Sequence, residues 1–280
     1  MASTAKPVKR VKYKGTLNYD SLRLDHQAHL KKVNDVLVET ALAVQGLQLA
    51  LQDAETKLTK GQKRYTLKVP NKRTKVVPIH RNLRKLVSSL KDQISSKEYI
   101  QALVFIVSIV ESYLSSNLIR LLRAYPKKLL VSTKGKELQA SESYSVDMRE
   151  IVAAASIDDI VDTRARQRVR DAMYASPKQY LSYFSSISGF KPTPEAWNAF
   201  IELKATRDLY VHGDGTINEI YIEKVGTSGR GQVGDMAIVD SQYFDKSISC
   251  LKEVMSNIFV GLREKYSDSE DLKRVFDRGD

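Results

Sequence analysis

The chain has few of the residues that most often carry a metal or a redox couple. Its 280 residues include one cysteine, Cys250, and four histidines, His26, His29, His80 and His212. A single thiol excludes an intramolecular disulfide framework and fits a reducing compartment. Cys250 lies on the apolar face of a helical pattern and reads as core. His26 and His29 are three apart on a predicted helix, with no cysteine or third histidine to complete a zinc set. No dense group of carboxylates suggests magnesium. No metal and no cofactor is therefore expected. Long hydrophobic runs are missing too. The longest charge-free apolar run lies between Glu98 and Glu111, short of the roughly 20 residues that span a bilayer. The N-terminal lysines are not followed by an apolar segment, so no secretory signal is read. The expected location is cytoplasmic, with no membrane partner.

Familiar catalytic signatures are absent as well. There is no nucleophile elbow and no phosphate-binding loop. Gly229-Arg-Gly231-Gln-Val-Gly234 matches a dinucleotide glycine pattern, but a strand-like Met236-Ala-Ile-Val239 follows where a helix must open. That segment is expected to be a flexible hairpin loop.

Acids are missing from one long stretch. Between Thr56 and Lys91 there are twelve Lys/Arg and no Asp or Glu, enough to account for the whole formal net charge of +12. Lys6, Lys9, Arg10, Lys12 and Lys14 form a second basic cluster. Such density attracts polyanions in a salt-sensitive way. Within the stretch, Arg64–Val69 and Arg73–Val77 alternate polar and apolar residues around Pro70-Asn71-Lys72, which predicts a β-hairpin with a basic polar face. Lys63, Arg64, Lys68, Lys72, Arg73, Lys75 and Arg81 are the candidate RNA contacts.

Elsewhere the chain reads as helix. Leu30, Val33, Leu37, Val44, Leu47, Leu51 and Leu58 give a stripe at three- and four-residue spacing over about 24–58, ended by Gly61. Helices are also predicted over 81–93, 97–124, several short pieces of 146–187, 193–210 and 242–266. Residues 217–225 read as a strand partnered by 236–239. The fold class is mainly α, a helical bundle with small β-hairpin insertions. Four segments are expected: a basic N-terminus at 1–20, a helix with a basic arm at 21–96, a helical domain at 97–266 and a fraying charged tail at 267–280.

The helix over 193–210 runs into Arg207-Asp208-Leu209-Tyr210-Val211-His212 and then Gly213-Asp214-Gly215. This joins a permanent cation to the side chain that titrates near neutrality. Arg207 and His212 are five apart, so they share no face if the helix continues; Gly213 predicts that it stops and lets His212 turn back or reach a partner protomer. The bland alternative is a histidine stabilising a helix end and an arginine paired with Glu202 or Asp208. Glu111, in the apolar helix, is costly to bury unless paired.

The motif Arg207, Asp208 and His212, the flank up to Asn218, the Glu111-Ser-Tyr-Leu114 stretch and the lead-in Glu202-Leu-Lys-Ala-Thr-Arg207 together resemble the HEPN superfamily. They are similar to its RiboL-PSP and MAE-type branch over residues 97–262. The resemblance implies a HEPN-like helical bundle forming a symmetric dimer, with two motifs meeting at the two-fold axis. Many members are RNases of toxin, CRISPR or antiphage systems; others are inactive or bind nucleotides. It implies Arg207, His212 and Asp208 as catalytic and Glu202 and Glu111 as supporting residues. The chemistry expected is metal-independent RNA cleavage by 2′-hydroxyl attack, with His212 moving a proton and Arg207 stabilising phosphoryl charge. The implied partners are RNA, a second copy and a cognate inhibitor or defence-system protein. The alternative is a non-catalytic HEPN scaffold that binds nucleic acid or protein.

Overall fold

The computed structural model describes Leu17 and residues 19–70, 75–131 and 147–266. The N-terminal basic cluster and the charged tail lie outside them. In chain order the described elements are α1 (Tyr19–Thr59), β1 (Arg64–Pro70), β2 (Val76–Asn82), α2 (Leu83–Asp92), a π-helical turn (Gln93–Lys97) and α3 (Glu98–Ala124). After a 3-10 turn at Pro126–Leu130 come α4 (Met148–Ala153), α5 (Ile157–Tyr174), α6 (Pro177–Ser188), α7 (Pro194–His212), α8 (Glu219–Val225) and α9 (Ser241–Lys265). The protein is mainly α, with one two-stranded sheet among the described residues.

The chain divides into two compact units. One comprises the described residues of 28–111 and 195–254; the other comprises those of 1–27, 112–194 and 255–280. Along α1 the buried positions are Leu22, His26, His29, Val33, Val36, Thr40 and Val44, a seam at three- and four-residue spacing, and further on Ala54. The helix stops at Gly61, whose φ of 79° only glycine adopts readily, and the Gln62 amide donates to the Lys57 carbonyl at 3.1 Å.

In the unit built from 28–111 and 195–254, β1 and β2 pair antiparallel from Arg64 opposite Asn82 to Pro70 opposite Val76. The second strand thus begins at Val76 and continues to Asn82, beyond the Arg73–Val77 expected. The cause is Asn82, which stays extended as the N-cap of α2 and accepts from the Lys85 amide at 3.2 Å. Tyr65 joins Leu51, Leu58, Leu86 and Leu90 around buried Ala54, Leu83 and Val87, so the base of the hairpin is packed onto helices.

Residues 217–225 are not a strand. Asn218 caps α8, its side chain accepting from the Tyr221 amide at 2.9 Å. Ile217, Tyr221 and Val225 then fall on one helical face and pack with Ala205, Leu209 and Ala237. What remains of the expected pairing is a single antiparallel bridge, Thr216 to Met236.

In the other unit, Ser156 caps α5, and Ser176 with Gln179 closes a capping box on α6. His26 is a core residue: its ring stacks on Phe259 at 4.7 Å and its Nδ1 lies 3.2 Å from the Tyr113 hydroxyl. The helical stretch Leu83–Ala124 is long and apolar enough to cross a bilayer by length and composition, and 56% of its most apolar window is buried within the protein.

Candidate functional site

Helix α7 carries the motif. Trp197, Phe200, Ile201, Leu203, Ala205 and Leu209 bury its inner face. The helix does not end at Tyr210 but runs through His212. The Gly215 amide then donates to the Leu209 carbonyl at 3.3 Å, and Gly215 has φ 92°. A Cβ at Gly215 would collide with the Tyr210 ring, so the turn requires glycine twice over. The Tyr210 hydroxyl donates to the Ala237 carbonyl at 2.6 Å. Burial and the nearby Asp214 push the Tyr210 phenol up, against the pull of Arg230.

Arg207 is held on two sides. Its Nη2 donates to Glu111 Oε2, and its Nη1 lies 3.4 Å from Asp208 Oδ1. Glu111 Oε1 also takes Lys204 Nζ at 2.8 Å, and Asp208 Oδ2 takes Lys224 Nζ at 3.0 Å. In these pairs two carboxylates sit among three cations. Glu111 is 12% and Arg207 17% exposed, so the pairing is shielded while the guanidinium still meets solvent. Two partnered cations offset the cost of placing Glu111 in the apolar helix. The Arg207 Nε is buried and has no hydrogen-bond partner among the described residues.

His212 is exposed, and no described residue hydrogen-bonds its imidazole. Because the helix is continuous, five residues carry His212 about 500° round the axis, or about 140° from Arg207. The expected swing of His212 back toward Arg207 within one chain does not occur. The helix runs two residues past the expected end at Tyr210, so the break at Gly213 comes after His212 has already taken its place on the helix.

Glu202 does not touch Arg207, Asp208 or His212. It is buried in a separate network. Its Oε1 accepts from Thr206 Oγ1 at 2.7 Å, the Tyr221 hydroxyl at 2.8 Å and Arg230 Nε at 2.8 Å, and its Oε2 accepts from the Tyr243 hydroxyl at 2.7 Å. Arg230 also lies 3.6 Å over the Tyr243 ring and donates to the Ile238 carbonyl at 2.6 Å. Burial opposes the charge of Arg230, but Tyr243 and Glu202 outweigh it and raise its pKa. Burial and the Glu202 charge both push Tyr243 up. The loop expected to be flexible is thus latched to α7. Arg230 was the signal for this: a lone arginine amid glycines, with a buried glutamate elsewhere needing a cation.

On the hairpin, Lys63, Arg64, Lys68, Lys75 and Arg81 are exposed, whereas Lys72 and Arg73 lie outside the described residues. Strand parity puts Arg64 and Lys68 on the outer face with Thr66 and His80, whose Oγ1 and Nδ1 are 3.0 Å apart. Arg81 pairs across from Tyr65, on the opposite parity. Lys57 Nζ stands 4.8 Å over the Tyr65 ring, so that ring is occupied by protein.

Comparison with protein-family models, with curated proteins and with solved structures finds no match for this chain.

Proposed function

We propose that the protein is a HEPN-type endoribonuclease whose Arg207 and His212 act on an RNA phosphodiester from two copies of the chain. The observation that carries this is the contrast between the two side chains. Arg207 is pre-oriented by Glu111 and Asp208 yet partly open to solvent. His212 stands exposed at the end of the same helix with its imidazole unbonded among the described residues. A fixed cation and a free proton carrier are what attack by a 2′-hydroxyl requires. A single chain holds them on different faces of α7, so the reading calls for a second copy to supply the other half. The exposed Arg64 and Lys68 would track the phosphate backbone.

A second reading, a non-catalytic RNA-binding or protein-interaction scaffold, is favoured by one feature. Glu111 already pairs with Arg207, and α7 runs unbroken through His212. Incubating purified protein with RNA in EDTA separates the two. The enzyme leaves 2′,3′-cyclic phosphate ends, spares DNA, and loses activity in both Arg207→Ala and His212→Ala. RNA binding without cleavage in the wild type overturns the nuclease and selects the scaffold.

A further inference from the structure

A groove of about 500 Å³ lies beside the motif, and neither Arg207 nor His212 lines it. One wall is the π-helical turn with the start of α3; the other is Tyr210 and Asp214, with Met236 and Ile238. Three features give it a chemical character.

The first is a pinned apolar rail. The Thr216–Met236 bridge, the Ala237 amide donating to the Gly215 carbonyl at 2.9 Å, and bonds from Tyr210 and Arg230 to the carbonyls of Ala237 and Ile238 fix the backbone. Alternation buries Ala237 and Val239 and turns Met236 and Ile238 outward, 53% and 62% exposed. Two large apolar side chains are therefore held in water by a backbone that cannot collapse to hide them. The second feature is Tyr210, whose ring seats against Gly215 and whose hydroxyl is tied, so its aromatic surface is preset. The third is the π-helical turn itself. Such turns are rare and concentrate at functional sites, and this one supplies Ser95, Ser96 and Lys97 to the groove.

The charge balance then selects the ligand. Asp92 and Asp214 face the groove against the single cation Lys97. Hydrogen bonds from Thr216 hold the Asp214 carboxyl below the ordinary range, so it stays ionised. A phosphate would meet net negative charge here. A flat apolar body that carries N–H donors would not.

We propose that this groove is a nucleobase subsite, taking an amino-bearing base against Tyr210, Met236 and Ile238, with its N–H groups donating to Asp92 or Asp214. Gln101, on the same wall, offers an amide that both donates and accepts. Uracil, which lacks an exocyclic amine, is the poorest fit. The proposal rests on the reading of the adjoining motif as an RNA site and names a specificity element for it.

The full chain, with methionine and isoleucine methyl groups labelled, is titrated by NMR with guanosine, adenosine, cytidine and uridine, and separately with inorganic phosphate. The expected result is saturable shifts at Met236 and Ile238 for the amino-bearing nucleosides, at least threefold weaker binding of uridine, and no competition by phosphate. Ile238→Glu, at an exposed position, weakens nucleoside binding tenfold or more, and Gln101→Ala changes the order of preference. Arg207→Ala and His212→Ala leave nucleoside binding unchanged. Silence at both methyls, uridine binding as tightly as guanosine, or displacement by phosphate overturns the proposal. Motif-dependent cleavage in EDTA with a silent groove defeats the groove alone. A saturable groove on a protein that cleaves no RNA defeats the nuclease alone.

Discussion

Glu111 and Glu202 are both carboxylates removed from water, and they meet the cost differently. Glu111 takes two cations, Lys204 and Arg207, near the surface. Glu202 takes one cation and three hydroxyls in the interior. Glu202→Ala leaves Arg230 and the hydroxyls of Tyr221 and Tyr243 without this acceptor, and should lower stability by about 3–5 kcal/mol in urea denaturation. Tyr243→Phe removes one of the four bonds and should cost about 1–2 kcal/mol. Cys250 offers a chemical check. Burial first, then the charges of Glu253 and Glu202, push its thiol up to about 11. Its alkylation by iodoacetamide at pH 8 should be slower than that of an unhindered thiol by about a hundredfold or more, and should become fast on denaturation. The sequence marked Glu111 as needing a partner, because a charge in an apolar helix must be paired. It did not say which partner, since Arg207 is 96 residues away.

At the scale of elements, helix existence was legible and most termini were not. The period of α1 and its stop at Gly61 follow from local chemistry. The β-branched run at 217–225 favoured a strand, yet the four-residue spacing of Ile217, Tyr221 and Val225, with Asn218 as cap, decided for a helix. The π-helical turn falls at the gap between the helices expected over 81–93 and 97–124, a break whose kind the local sequence does not specify. The candidate site was half legible: Arg207, Asp208 and Glu111 converge, while Glu202 belongs to another network and His212 is carried round the helix. The hairpin supports a direct test. Arg64→Ala with Lys68→Ala removes two cations from one exposed face without touching the packed Tyr65 face. Affinity for single-stranded RNA should fall at every sequence, and the slope of log K against log salt should flatten by about 1.4. Thermal stability should stay within about 0.5 kcal/mol of wild type.

For the molecule as a whole, the formal charge of +12 favours polyanion binding, and binding of that kind weakens as salt rises. Acid stability follows from particular pairs. Burial would raise Asp162, but hydrogen bonds and charge from Arg166 and Arg123 outweigh it and hold its carboxyl below the ordinary range. A depressed folded value stabilises above the unfolded carboxyl value of about 3.9 and is lost as pH falls through the folded value. The Tm gap between wild type and Asp162→Asn should therefore be full at neutral pH and close below about pH 4.

The most direct test is RNA cleavage in EDTA by Arg207→Ala, by His212→Ala, and by the two refolded together. If the guanidinium of one copy works with the imidazole of another, each variant alone is inert and the mixture recovers about a quarter of wild-type activity, from the one intact site in each mixed dimer. A mixture as inert as its components would contradict the shared site, and a wild type that cleaves nothing would contradict the nuclease.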